Sequence, residues 1–195
     1  MRRLVIATTN TGKLLEIRPI LHGVSVDLRT LADYAPIDAP DETGRTFAEN
    51  ARLKALYYAE RLGELTVAED SGLEVDALDG APGVLSARYG GEDATYPEKF
   101  TRIYDALRER EAATSTARFV CALALAEPGQ LLFSARGTIE GRIAPEPKGD
   151  GGFGYDPIFY YPPFGTTLAD AGERKSQVSH RGHAFRALRA FLESR

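Results

Sequence analysis

The residues best suited to chemistry fall in a few short stretches. Thr8-Thr9-Asn10-Thr11-Gly12-Lys13 joins an apolar run, Leu4 to Ala7, to a segment of helical spacing through Leu14, Ile17 and Leu21. A strand-to-helix join leaves backbone N–H groups unpaired at the helix start, and the helix dipole adds partial positive charge, so such a loop suits an anion. Lys13 contributes a full charge there. The stretch is not a Walker A loop, because the long glycine spacing and the Ser/Thr after the lysine are both missing. A polar turn capped by Thr or Asn competes for the same residues.

Two acidic pairs, Asp41-Glu42 and Glu69-Asp70, supply hard carboxylate oxygens. Such oxygens suit Mg²⁺, which takes one or two protein carboxylates, several waters and substrate phosphates. Leu65-Thr66-Val67-Ala68 reads as a buried strand that ends at Glu69-Asp70, and ligands of open α/β sheets bind at strand carboxyl ends. Solvated loop charge is the competing reading of either pair. Lys54 lies on the polar face of a helix whose apolar side carries Phe47, Ala51, Ala55, Tyr58 and Leu62. No histidine or cysteine set competes for a metal; His22 and His183 read as structural.

Lys148 to Pro157 is the least ordinary segment, with Phe153 and Tyr155 alternating with glycines. Its aromatics either present a face on which a base stacks or plug the core. Arg174-Lys175 and Ser179-His180-Arg181 place cations and hydrogen-bond donors just before the last helix.

The elements that must position these groups can be read from periodicity. Helices are expected over 13–21, 47–62, from the Thr95/Glu98 capping box through Leu107, and over 183–192. Strands are expected at 4–7, 65–68 and 117–125, the last turning at Glu127 to Gln130 into Leu131-Leu132-Phe133 as an antiparallel hairpin. Mixed helices and strands with a hairpin predict an α/β protein with a mixed sheet, read as a single domain over 1–195.

The net charge of −4 excludes a large footprint for polymeric nucleic acid. No run is long enough for a membrane span and no signal-peptide core follows Met1-Arg2-Arg3. The single Cys121 forms no internal disulfide, as in a reducing compartment. A cytoplasmic protein acting on small molecules is the expectation.

In order and spacing these segments resemble the XTP/dITP pyrophosphatase family, also called inosine triphosphate pyrophosphatases, over essentially the whole chain. The resemblance is carried by Thr8 to Lys13, by Thr46-Phe47-x-Glu49-Asn50-Ala51 with Lys54, by Glu69-Asp70-Ser71-Gly72-Leu73 with Gly80-Ala81-Pro82-Gly83 and Ser86-Ala87-Arg88-Tyr89, and by Gly152 to Asp156 with Ser179-His180-Arg181. Thr9 departs from a frequent glycine, and Ser176 from a common asparagine.

The resemblance implies a two-lobed α/β fold with a central mixed sheet flanked by helices, and a homodimer. It also implies Mg²⁺-dependent cleavage of non-standard purine nucleoside triphosphates to the monophosphate and pyrophosphate. Lys13, Lys54 and the loop from Thr8 through Thr9, Asn10, Thr11 and Gly12 would hold phosphates, with Ser71 as a further substrate contact. Glu42 and Asp70 would hold the metal, and Asp70 or Glu69 would accept the proton. Base choice would come from Phe153, Gly154, Tyr155, Asp156, Lys175, His180 and Arg181.

Overall fold

Two exposed arginines and three buried apolar residues open the architecture of the computed structural model, which describes residues 2–194. Strand β1 (Arg2–Ile6) buries Leu4, Val5 and Ile6. It pairs in parallel with β2 (Val26–Thr30) on one side and with β3 (Leu65–Val75) on the other. Parallel neighbours need a crossover, and helices α1 (Thr11–Leu21) and α2 (Phe47–Leu62) lie in those connections. A capping box starts α2: Thr46 Oγ1 accepts from the Glu49 amide, and the Glu49 carboxylate accepts from the Thr46 amide. Gly63 ends it in the left-handed conformation.

The chain continues through α3 (Tyr96–Glu109), β4 (Thr116–Glu127), β5 (Gln130–Ile143), β6 (Phe159–Tyr161), β7 (Thr166–Thr167), α4 (Lys175–Val178) and α5 (His180–Glu193). The strands order as β2-β1-β3-β4-β5-β6-β7. With β1, β2 and β3 parallel and β5, β6 and β7 antiparallel, the sheet is mixed, as expected.

Two compact units divide the chain. The first holds the chain to Asp70, Cys121–Gly137 and the chain from His180; its core includes Leu4, Ile17, Val67, Leu123 and Phe185, and α1 packs on α5. The second holds Ser71–Val120 and Thr138–Ser179, with Leu73, Ile103, Phe119, Tyr155 and Phe159 in its own core. The units exchange the chain along β3, β4 and β5, and for that reason no linker composition marked them. Residues 1 and 195 of the single-domain reading lie outside the described residues.

Periodicity located α2, α3 and the β4–β5 hairpin and placed the starts of α1 and α5 two and three residues late. It missed β2, whose half-buried residues give no clean alternation. One expectation is corrected: Glu69-Asp70 does not end a strand. β3 runs on to Val75 because apolar alternation resumes at the fully buried Leu73 and Val75, and small Ser71 and Gly72 let the backbone pass. The acids instead lie beyond the end of β1, whose last pairing is Ile6 with Val67.

The Thr46→Ala substitution removes one side-chain bond at the start of the helix that carries Asn50 and Lys54. Urea unfolding should lose about 1 kcal/mol of stability. An unchanged midpoint would mean that the helix start is held by packing alone.

Candidate functional site

Successive strand residues point to opposite faces of a sheet, so Glu69 and Asp70 serve different neighbourhoods although they are adjacent in sequence. Glu69 shares its face with Leu65 and Val67, on the side where α1 and α5 pack. Asp70 turns toward α2.

On the first face Lys13 Nζ lies 2.6 Å from Glu69 Oε1. Arg181 reaches the same oxygen from Nε and Nη2 at 3.4 Å, and its Nη1 donates to Glu16 Oε2 at 2.7 Å. The Cys121 thiol donates to Glu69 Oε2 at 3.3 Å. Only 5% of Glu69 and 1% of Arg181 are exposed. Burial by itself raises the pKa of Glu69, but Arg181 and then Lys13 more than reverse it and hold the carboxyl well below the usual range. The Cys121 thiol is pushed well up, by burial and then by the Glu69 charge. Glu69 thus anchors two cations with a lowered pKa, whereas a proton acceptor is favoured by a pKa nearer the working pH.

On the second face Lys54 Nζ donates to Glu42 Oε1 at 2.6 Å and to Asp70 Oδ1 at 2.9 Å. Asn50, fully buried, donates from Nδ2 to Asp70 Oδ2 at 3.2 Å and accepts the Gly44 amide at 2.8 Å. A Cβ at Gly44 would stand 2.5 Å from Asn50 Oδ1, so only glycine lets the Glu42 loop close on that amide. Burial works against the Lys54 charge, yet Asp70 and Glu42 outweigh it and raise its pKa. Burial raises the pKa of Asp70, and Lys54 and Asn50 offset only part of that rise. One ammonium shared with Glu42 leaves the Asp70 charge incompletely compensated, and the Glu42 charge adds to the rise. Asp41 is exposed and takes no part among the described contacts.

The Thr8–Lys13 loop forms the capped polar turn. Asn10 caps α1, accepting from the Lys13 amide at 3.1 Å, while its own amide donates to Thr8 Oγ1 at 3.1 Å. Thr9 and Thr11 are exposed, Gly12 is half-buried, and the first turn carries no acid that would compete with an incoming anion.

The remaining expected site residues divide between the units. His180 and Arg181, both buried, open α5 in the first unit. Half-buried Ser71, Phe153 and Gly154 and buried Tyr155, Asp156 and Lys175 belong to the second. There the buried Asp156 accepts from Lys175 Nζ at 2.6 Å and from the Phe153 amide at 2.8 Å, and Lys175 Nζ sits 4.6 Å from the centre of the Phe153 ring. Gly152, at φ +71°, is required, since a Cβ there would collide with the Asp156 carboxylate. Phe153 is half-buried.

Tyr155 is the core residue of the pair: it is 4% exposed, its hydroxyl donates to Ser86 O at 2.8 Å, and burial drives its pKa well up. Sequence reasoning missed Glu16, the Gly44–Asn50 latch and the thiol of Cys121. The four-residue spacing of Asn50 and Lys54 on α2 was the available signal for the latch.

A family model described as the Ham1 family matches residues 4–191. A dITP/XTP pyrophosphatase of Gloeobacter violaceus is 51% identical over 190 residues, spanning 96% of this chain and 93% of the relative. One of Exiguobacterium sibiricum is 44% identical over 191 residues, spanning 97% and 96%. The structure of a HAM1 protein from Coxiella burnetii superposes with a TM-score of 0.92 at 37% identity over the full length of both chains. The Staphylococcus aureus Ham1 protein gives 0.88 at 38% identity over 99% of both.

A lowered carboxyl pKa stabilises the folded state above the unfolded value, about 4.3 for Glu, and that contribution fades as pH falls toward the folded value. Glu69→Gln leaves Lys13 and Arg181 without their common anion. At pH 7 the variant should be less stable by about 3–5 kcal/mol, the cost of breaking a buried pair. Thermal melts should then show the deficit shrinking as pH falls below about 4, where the unfolded wild-type chain takes up the proton that its folded state still refuses. A deficit independent of pH would mean that Glu69 acts by shape.

Proposed function

This chain belongs to the Ham1 family, and from that premise and the site geometry we propose that it hydrolyses non-standard purine nucleoside triphosphates (ITP, dITP and XTP). Water attacks and the bond between the α and β phosphates breaks, so that triphosphate plus water gives monophosphate plus pyrophosphate. Removing mispairing nucleotides from the precursor pool is the biological consequence. The observation that carries the reading is the shared ammonium: Lys54 between Glu42 and Asp70, on the sheet face opposite a second lysine, Lys13, held by Glu69.

Two carboxylates with no third acidic, histidine or cysteine ligand among the described residues fit Mg²⁺, which completes its shell with water and substrate phosphate. Glu42 and Asp70 are assigned to hold it; when bound, it would neutralise charge on the phosphates. Lys13 and the amides of the loop from Thr8 to Gly12 hold phosphate oxygens at the start of α1. Asp70 is assigned as proton acceptor, with Asn50 fixing its carboxylate plane. Glu69 is assigned to keep Lys13 and Arg181 in place.

Phe153 and Lys175 are assigned to the base. Phe153 offers a ring for stacking, and Lys175, aimed by Asp156, is a donor for the 6-oxygen that hypoxanthine and xanthine carry where adenine has an amino group. A donor left unpaired discriminates far more strongly than shape does. The same reading includes a homodimer, which sedimentation velocity can test, and residence in the cytoplasm. No helix among the described residues is long and apolar enough to cross a membrane.

Pyrophosphate release from ITP, XTP, dITP, dTTP and UTP, with and without Mg²⁺, tests the proposal. The purine set should turn over only with metal; preference for dTTP and UTP would point to the related septum-inhibition pyrophosphatases, and no turnover to a nucleotide sensor. Asp70→Asn should keep its melting curve and lower ITP turnover by a factor on the order of 10² or more. Wild-type turnover would remove Asp70 from the mechanism. Phe153→Ala should raise KM for ITP more than it lowers kcat. An unchanged KM would make the ring a core residue.

A further inference from the structure

We infer that Lys54 is a built-in counter-cation of the metal site, which a divalent ion must displace from Glu42 and Asp70 before it can bind them. The inference rests on the assignment of those two carboxylates to the metal. Its basis is geometric. Lys54 Nζ stands 2.6 Å from Glu42 Oε1 and 2.9 Å from Asp70 Oδ1, which places a positive charge between the same oxygens that would ligate the ion. Magnesium–oxygen bonds are about 2.0–2.1 Å long, so an ion on those oxygens and an ammonium between them would be in contact, with like charges facing.

The rest of the cluster favours this competition. Asp70 cannot swing away from it, because Asn50 holds its other oxygen and Gly44 in turn holds Asn50. The three side chains Glu42, Lys54 and Asp70 are only 24, 13 and 10% exposed, so solvent screens the repulsion poorly. With Lys54 in place the trio carries one net negative charge; without it, two. The flexible four-carbon stem of lysine lets the ammonium leave without moving the helix that bears it. A polyphosphate chain offers it an alternative partner, so the ion and the substrate phosphates exchange with Lys54 in one event.

The consequence is ordered loading. The free protein binds a divalent ion weakly, and the ion enters together with phosphate. This protects the site from metal acquired without substrate, and it makes Lys54 a positioning residue for phosphate only after it has given up its two carboxylates.

The test uses Mn²⁺ as the probe, with the unbound ion read by electron paramagnetic resonance on the full chain: wild type, Lys54→Met, Asp70→Asn and the double variant. Lys54→Met should bind Mn²⁺ at least tenfold more tightly than wild type without phosphate, and the double variant should lose that gain. Imidodiphosphate, which is not hydrolysed at its bridge as pyrophosphate is, should close the gap between wild type and Lys54→Met to within about threefold, because both then see the ion with Lys54 out of the way.

Melting curves give a second readout, since Mn²⁺ should raise the melting temperature of Lys54→Met more than that of wild type. Lys54→Gln serves if the methionine variant does not fold. Equal Mn²⁺ affinity in wild type and both Lys54 variants, with binding lost in Asp70→Asn, would overturn the inference and leave the metal assignment standing. Mn²⁺ binding unaffected by Asp70→Asn would overturn both. A gain that persists in the double variant would also overturn it, because the lysine would then act at a distance from those oxygens.

Discussion

Everything in the first unit is arranged around two consecutive anions on one strand. Pleating sends Glu69 to one face and Asp70 to the other, and each finds a lysine from a different helix: Lys13 from the start of α1, Lys54 from the middle of α2. Burying two carboxylates side by side in sequence is costly unless each is paired and hydrogen-bonded. Here the pairing ties α1, α2 and α5 to the sheet.

The two anions are not equivalent, and environment decides their roles. Glu69 has two cations, one of them a guanidinium buried to 1% exposure, and a thiol donor, and its pKa is held well below the usual range. Asp70 shares one ammonium with Glu42, is buried, and carries a raised pKa, which is the condition of a group able to take a proton. A pair of neighbouring carboxylates whose surroundings push them in opposite directions is the usual signature of divided labour in a catalytic site.

Much of this was legible in the sequence. The spacing of Phe47, Ala51, Ala55 and Tyr58 put Lys54 on a polar helix face, and the Asn10–Lys13 turn was visible as a helix start. Alternation, however, stopped being informative at Glu69-Asp70, because charged residues in a strand look like its end; only Leu73 and Val75, read as a continuation, carry β3 through them. Roles that depend on contacts distant in sequence were out of reach. Arg181 was grouped with base recognition beside Lys175, yet its partners are Glu16 and Glu69. For Tyr155, between a presented face and a core plug, burial selects the core of the second unit. Side-chain chemistry names the candidates, but burial and partners assign the work.

The division between Glu69 and Asp70 can be observed directly by carbon-13 NMR titration of their side-chain carboxyls in the intact protein. The account requires Glu69 to remain ionised well below the ordinary glutamate range, while Asp70 takes up its proton above the ordinary aspartate range. A titration in which Glu69 protonates first, or in which both carboxyls titrate together at ordinary values, would contradict it.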